Sequence, residues 1–298
     1  MARRPRTTTN APGRILSGVL VAVLAIGVIL LAYLAFQHTR NGEVEGTARP
    51  APTFTHGATA TPAPTPAPPE PTTAPVVAPG PAERLLVTGS GAIWRATAGS
   101  CGEVEPVLER STDGGQTWAD VTPRYLGIGQ ILALEPLQSS EAQLVALVGG
   151  GCELQALRTF TQGSFWESYP DALSAATYLD PTDPGVLVTP NARIDAPCAT
   201  AWGVRTGGGT TALICDGTAY QLTDGAWLPV ADDALAVTAS AAGVASVSTA
   251  ADCAGLAVTT TASVCAAEAS PEGPAAIAAS DGSTVIWSAD TWVVVPTP

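Results

Sequence analysis

The chain has 298 residues, 46% of them apolar, with 13 basic and 26 acidic side chains, a formal charge of −13 and a pI near 4.4. Both histidines, His38 and His56, precede residue 84, so the remainder excludes Ser-His-Asp and Cys-His catalysis and every His-ligated metal site. From residue 84 onward seven arginines face 22 Asp and Glu, a net charge of −15 that excludes a nucleic-acid binder. All the basic residues are arginines, and with the abundance of Ala, Gly and Pro this fits a GC-rich bacterial genome.

Residues 1–14 carry Arg3, Arg4, Arg6 and Arg14 and no acidic residue. Residues 15–36 follow without a charge, and as a helix this stretch spans roughly 33 Å, about the thickness of a hydrocarbon core. A cleaved signal peptide has a shorter apolar core and ends in a small-x-small site. Here the first small position is Tyr33 for a cut after Ala35 and Leu30 for a cut after Ala32, so an uncleaved signal anchor is expected. Four arginines before it against Arg40 and Arg49 after it place the N-terminus in the cytoplasm and the bulk of the chain outside. Residues 37–83 form a Pro-, Ala- and Thr-rich stalk. Proline removes backbone donors, so residues 47–82 should favour polyproline II and reach about 110 Å when extended. The stalk reads as a spacer, and its threonines suit O-glycosylation.

Residues 84–298 consist of short alternating apolar runs, such as 85–87, 143–148 and 244–247, broken by Gly, Asp-Gly and Pro. No long helical period interrupts them, which predicts an all-β domain. Two echoes run through it. Cys101, Cys152, Cys198 and Cys253 are each followed within 7 to 11 residues by a similar tail, ending at Thr112, Thr159, Thr206 and Thr260. The spacing suits one four-stranded propeller blade per repeat. The second echo sets residues 85–96 against residues 276–289. About five blades are expected.

Ser111, Asp113, Gly115, Thr117 and Trp118 complete an S-x-D-x-G-x-T-W pattern. It resembles the Asp-box hairpin of bacterial-neuraminidase-like and sortilin-like propellers. Looser copies are expected at 159–166, 222–227 and 288–292, and residues 178–188 resemble the link between blades in sortilin-like and xyloglucanase-like propellers, with 132–136 a weaker copy. Asp113 can accept backbone N–H groups within the turn, and Gly114 and Gly115 supply positive φ. The resemblance implies a structural hairpin at the edge of a blade, away from any active centre.

Many proteins of this kind are sialidases, which need three arginines around a carboxylate, a tyrosine nucleophile and acidic partners. Tyr125, Tyr169, Tyr178 and Tyr220 are available. Arg110, Arg158 and Arg205, however, fall at like places in the repeat, and a ring would spread them apart. No catalytic residue is therefore assigned, and no cofactor or metal. The pairs Asp180/Asp183 and Asp232/Asp233 match no calcium loop and read as solvated turns.

Exported thiols are usually oxidised. Six cysteines allow fifteen connectivities. If cysteines at like places on successive blades lie too far apart to bridge, pairs within a blade are preferred. Cys198 with Cys215 brackets the glycines at 207–209, Cys253 with Cys265 brackets Thr259, and Cys101 with Cys152 remains by elimination. The whole reads as a membrane-tethered, extracytoplasmic scaffold that binds an unknown protein or glycan partner without catalysis. A small sialidase-like surface glycosidase is the alternative.

Overall fold

The structure, a computed structural model, describes residues 76–297 except 90, 139 and 281. The expected anchor at 15–36 and most of the stalk lie outside these residues. Among the described residues no helix is long and apolar enough to cross a membrane.

Short strands separated by tight turns build six antiparallel sheets, one more than the five blades expected. Blade 1 holds β1 (Arg84–Gly89), β2 (Ala92–Thr97), β3 (Val107–Ser111) and β4 (Ala119–Asp120). Blade 2 holds β5 (Ile128–Gln138), β6 (Glu141–Val148), β7 (Glu153–Thr159) and β8 (Glu167–Ser168). After a single turn of helix, α1 (Pro170–Leu173), blade 3 has only β9 (Tyr178–Asp180), β10 (Asp183–Val188) and β11 (Arg193–Asp195). Blade 4 holds β12 (Trp202–Gly207), β13 (Thr210–Cys215), β14 (Thr218–Thr223) and β15 (Ala226–Ala231). Blade 5 holds β16 (Ala236–Ser240), β17 (Gly243–Ser248), β18 (Leu256–Thr259) and β19 (Ser263–Ala266). Blade 6 is again three-stranded, with β20 (Ala275–Ser280), β21 (Ser283–Ser288) and β22 (Thr291–Pro296).

The first strand of each blade is the innermost, and these strands touch in the cyclic order β1, β5, β9, β12, β16, β20 and back to β1. Six apolar clusters fill the six wedges between neighbouring blades. Trp94, Leu108, Leu144 and Trp166 join blades 1 and 2. Val145 and Tyr178 join 2 and 3, Leu179 and Leu213 join 3 and 4, and Ile214 and Val237 join 4 and 5. Val258 and Ile277 join 5 and 6, and Leu86 with Trp287 closes the ring from 6 to 1. Alanine is frequent in every wedge because inner strands meet at close range. Each blade alone would leave both apolar faces wet, so the ring is stable only when all six wedges are filled.

The miscounted blade has a physical cause. Thr177, just before β9, lines a cleft with Glu135 and Thr206 towards the ends of β5 and β12. Asp180, at the end of β9, lines a cavity with Gln130 and Trp202 at the beginnings of those strands. β9 therefore runs against the other inner strands, and the repeat loses its phase there. The cysteine echo crosses this break. Its tails at Thr112, Thr159 and Thr260 belong to the third strands β3, β7 and β18 or follow them, but Thr206 lies on the innermost strand β12. Arg205 is thus not equivalent to Arg110 and Arg158, contrary to the repeat read from sequence. The second echo, by contrast, pairs the inner hairpins of blades 1 and 6, which are neighbours across the closure.

Residues 76–83, counted with the stalk in sequence, have defined places on the domain. Val76 packs with Trp202 and Val237, Gly80–Ala82 forms a 3-10 turn, and the Ala98 N–H donates to the Glu83 carbonyl at 2.8 Å.

Three disulfides join Cys101 to Cys152, Cys198 to Cys215 and Cys253 to Cys265, with Cα separations of 5.9, 5.6 and 5.5 Å. The first links the β2–β3 loop of blade 1 to the β6–β7 turn of blade 2. It is a staple between blades, whereas the other two tie a segment to its own blade or its immediate lead-in. Non-reducing peptide mapping should return these three pairs. Replacing Cys101 and Cys152 together by Ser should lower the unfolding free energy by about 2–4 kcal/mol, read from a denaturant titration.

Candidate functional site

Ser111, Asp113, Gly115, Thr117 and Trp118 come together in the turn between β3 and β4. The Ser111 hydroxyl donates to Asp113 Oδ1 at 2.8 Å and accepts the Gly115 N–H at 2.8 Å. Asp113 accepts the Thr117 N–H at 2.9 Å and the Thr117 hydroxyl at 2.6 Å. These hydrogen bonds, the Thr117 hydroxyl first and then its N–H and Ser111, hold the Asp113 carboxyl down at about 2. Gly115 sits at φ 90°, and a Cβ there would lie 2.3 Å from the Trp292 ring of blade 6. Trp118 meets Trp292 edge to face at 5.0 Å, Arg95 covers the Trp118 ring at 4.0 Å, and Trp292 Nε1 donates to the Gly114 carbonyl at 3.1 Å. The hairpin thus clamps the first blade to the last.

The turn at 159–166 repeats this wiring with other residues. Thr159 stands for Ser111, its hydroxyl accepting the Gly163 N–H at 3.0 Å, and Thr161 stands for Asp113, accepting the Phe165 N–H at 2.9 Å. Trp166 turns inward against Trp94 and donates to the Val121 carbonyl at 3.1 Å. The other two expected copies are different objects. Residues 222–227 enclose the two-residue turn Asp224–Gly225 between β14 and β15, and residues 288–292 enclose the turn between β21 and β22.

At the axis stands a pair that the sequence did not reveal. Arg205 on β12 of blade 4 reaches Glu83 and β1 of blade 1, the opposite position in a ring of six. Its Nη1 lies 3.6 Å from Glu83 Oε1, its Nη2 donates to the Arg84 carbonyl at 2.5 Å, and the Gly203 N–H donates to the same Glu83 oxygen at 3.2 Å. The Arg205 Nε is buried without a partner, and only 10% of that side chain is exposed against 22% of Glu83. Burial pushes the Glu83 carboxyl up despite the opposing guanidinium, and burial pushes Arg205 down. A glutamate before the first strand and an arginine on an inner strand are the available signals, but composition groups the one with the stalk and spacing groups the other with a repeat.

On the strand-beginning side of this pair lies a cavity of about 240 Å³, lined by Glu83, Gln130, Asp180 and Trp202 and bordered by Ala78 and Gly80 of the lead-in. Asp180 accepts the Thr182 hydroxyl at 2.7 Å and Arg193 Nη2 at 2.5 Å, which hold its carboxyl at about 2. On the other side Arg205 borders a second cavity of about 300 Å³ with Thr88, Glu135 and Thr238. Arg110 and Arg158, on neighbouring third strands, do not converge on Arg205. Arg110 bonds Gln162 at 3.3 Å, and Arg158 bonds Glu141 at 2.9 Å. The Tyr125 hydroxyl is committed to the Trp166 carbonyl at 2.6 Å. Asp232 accepts the Thr218 hydroxyl at 3.2 Å, and Asp183 accepts the Gly185 N–H at 3.2 Å. Among the described residues no group of three or more His, Cys, Asp or Glu is placed to hold a metal ion.

No protein-family model matches the chain, and no curated protein does. Among solved structures it is similar to YCF48 bound to a D1 peptide, at 14% identity and a TM-score of 0.24, covering 70% of this chain and 65% of that one. It is also similar to the GH74 enzyme of Niastella koreensis, at 10% identity and a TM-score of 0.23, covering 70% and 47%. The chain spans less than two thirds of either. Neither likeness bears on what this chain does.

Two predictions follow the charges. Arg205→Met leaves Glu83 without its cation and should cost about 3 kcal/mol at pH 7 by chemical denaturation. Because the folded-state Glu83 value is raised, the uncompensated charge disappears on protonation, so the deficit should shrink towards pH 4. A deficit independent of pH would show that the lost term is packing alone. Asp113 behaves oppositely, since a depressed carboxyl stabilises the fold above its ordinary 3.8 and loses that contribution as pH falls towards 2. Asp113→Ala should therefore lower the melting temperature at pH 6 and flatten its fall between pH 4 and pH 2.

Proposed function

We propose that this chain is a membrane-tethered, extracytoplasmic propeller acting as a non-catalytic scaffold for a protein or glycan partner. In this reading residues 1–14 are cytoplasmic, 15–36 anchor the chain, the stalk follows, and the propeller is held away from the membrane. The hairpin at 111–118 belongs, on this view, to the Asp-box kind.

One observation carries the non-catalytic part. All seven arginines from residue 84 onward are engaged within the domain. Arg84 lies over Trp287 at 4.2 Å, Arg95 bonds Glu109 at 2.7 Å, and Arg124 bonds Glu105 at 2.7 Å. Arg193 is held by Asp180, Arg205 by Glu83, and Arg110 and Arg158 by the partners named above. A carboxylate clamp of the sialidase type needs three arginines free to face one ligand, and these are dispersed over four blades.

The glycosidase alternative draws on a single feature, the presence of Glu83 and Asp180 on one cavity with carboxyls displaced in opposite directions. Purified full-length protein in detergent should turn over none of a panel of fluorogenic glycosides, sialosides included. Turnover abolished by Asp180→Asn would replace the scaffold reading with the enzyme. The same preparation serves the tether, since the protein should remain with membranes through salt and carbonate washes.

A further inference from the structure

The two cavities on the axis differ in charge. The second is bordered by Arg205 as well as Glu135, whereas the first, of about 240 Å³, is bordered by the carboxylates of Glu83 and Asp180 and by no basic residue. Those two carboxylates are not in the same state. Asp180 is fully engaged, one oxygen accepting the Thr182 N–H and hydroxyl and the other Arg193. Glu83 is engaged on one side only. Its Oε1 receives both the Gly203 N–H and the Arg205 guanidinium, and its Oε2 has no hydrogen-bond partner among the described residues. Oε2 is also accessible, unlike the sealed Nε of Arg205. Of the two cavities Glu83 borders only the first, so Oε2 is what it offers a ligand there.

The protein does not compensate that charge in full. Burial raises the Glu83 carboxyl even with Arg205 beside it. Arg205 is itself shared, its Nη1 donating to the Val204 carbonyl at 2.7 Å and its Nη2 to the Arg84 carbonyl. A carboxylate so placed attracts a cation more strongly than the same group in water, and the field of a domain at −15 adds to the attraction.

The remaining wall selects the kind of cation. Ile131 and Leu132 of β5, Leu179 of β9 and Trp202 and Val204 of β12 line it, and Gln130 adds an amide. A calcium ion takes at least about six oxygens, and among the described residues no group of three or more His, Cys, Asp or Glu is placed to hold one. An anion would meet two carboxylates and no basic side chain, and a neutral apolar molecule would leave Oε2 without a donor. A primary ammonium on a hydrocarbon body meets both requirements, because its N–H groups donate to Oε2 while its carbons cover the apolar wall. Size agrees, since a cavity of roughly 150 Å³ holds benzene and this one has room for a ring with a short ammonium-bearing arm. We propose that the first axial cavity binds a primary alkylammonium group, its nitrogen on Glu83 Oε2 and its hydrocarbon body against Trp202, Ile131 and Leu179. This goes beyond the scaffold reading and does not depend on it.

Isothermal titration of the full-length protein in neutral detergent, against a detergent blank, tests it with three ligands of one hydrocarbon body: phenethylamine, phenethyl alcohol and hydrocinnamate. The amine should bind with a dissociation constant on the order of a millimolar or tighter, and the alcohol and the carboxylate roughly tenfold more weakly or worse. Glu83→Gln keeps the volume, removes the charge and should weaken the amine roughly tenfold, the order of one charge-assisted hydrogen bond. Because that change also touches Arg205, Thr200→Phe is the second variant. It crowds the cavity from an exposed position, leaves the ion pair intact and should also weaken binding. Glu135→Gln, on the second cavity, should leave the affinity unchanged. Nα-acetyl-lysine methylamide separates the sources of such a group: binding as tight as that of phenethylamine assigns it to a side chain of a protein partner, and weaker binding to a free amine. No binding of the amine, or equal binding of the three ligands, overturns the proposal. So does amine binding that Glu83→Gln and Thr200→Phe both leave intact, or that Glu135→Gln weakens as much as Glu83→Gln.

Discussion

A guanidinium that crosses the axis of a six-bladed ring can be satisfied only when both halves of the ring are in place. Arg205 takes its carboxylate and a backbone carbonyl from blade 1 while sitting on blade 4. Removing two charges from water costs several kcal/mol each, so such a pair adds little net stability. A ring with one blade more or fewer would strand the charge, and the orphaned Arg205 Nε shows how little slack the site has. The pair also divides the bore into two separate cavities and makes the last residues of the lead-in part of the fold.

Closure of the ring follows a related logic. Among the described residues blade 6 contains only C-terminal strands, and no strand is shared between the chain ends. Side chains do the joining instead. Arg84 and Arg95 lie over Trp287, the Thr88 hydroxyl donates to the Ala279 carbonyl, and Trp292 inserts against the glycines of the hairpin at 111–118. The hydrogen-bonded hairpin at 111–118 is occupied with this seam. Its carboxylate accepts from its own turn, from Ser111 and from Thr117.

Much of this architecture was legible in the sequence, and the gaps have causes. Period-two apolar runs and Asp-Gly punctuation are local consequences of the pleat and of positive φ, so the all-β class could be read directly. The full hairpin motif at 111–118 and the partial one at 159–166 were readable for the same reason, since the hydrogen bonds that shape each turn join residues at most four apart. Thr161 could stand in for Asp113 because only an oxygen at the right position is needed. The turn at Asp224–Gly225 shares residue types with those hairpins but not their length, and composition alone merged the two.

Blade number, the phase of the repeat and the identity of the axial pair were settled only by the tertiary structure. Glu83 and Arg205 are 122 positions apart, and no local rule relates a residue ahead of the first strand to one on the innermost strand of the fourth blade. The reversal of β9 likewise leaves no mark in a pattern of alternating side chains, because alternation is the same in both directions along a strand. Exposure of Phe160 and Phe165 is of this kind too, since an apolar side chain in sequence carries no record of which face it will occupy. What the sequence determined by itself was whatever depends on neighbours along the chain: strand period, turn chemistry, charge and the short hydrogen-bonded loops. Whatever depends on neighbours across the ring was decided by packing, because contacts there are selected by the simultaneous fit of six wedges.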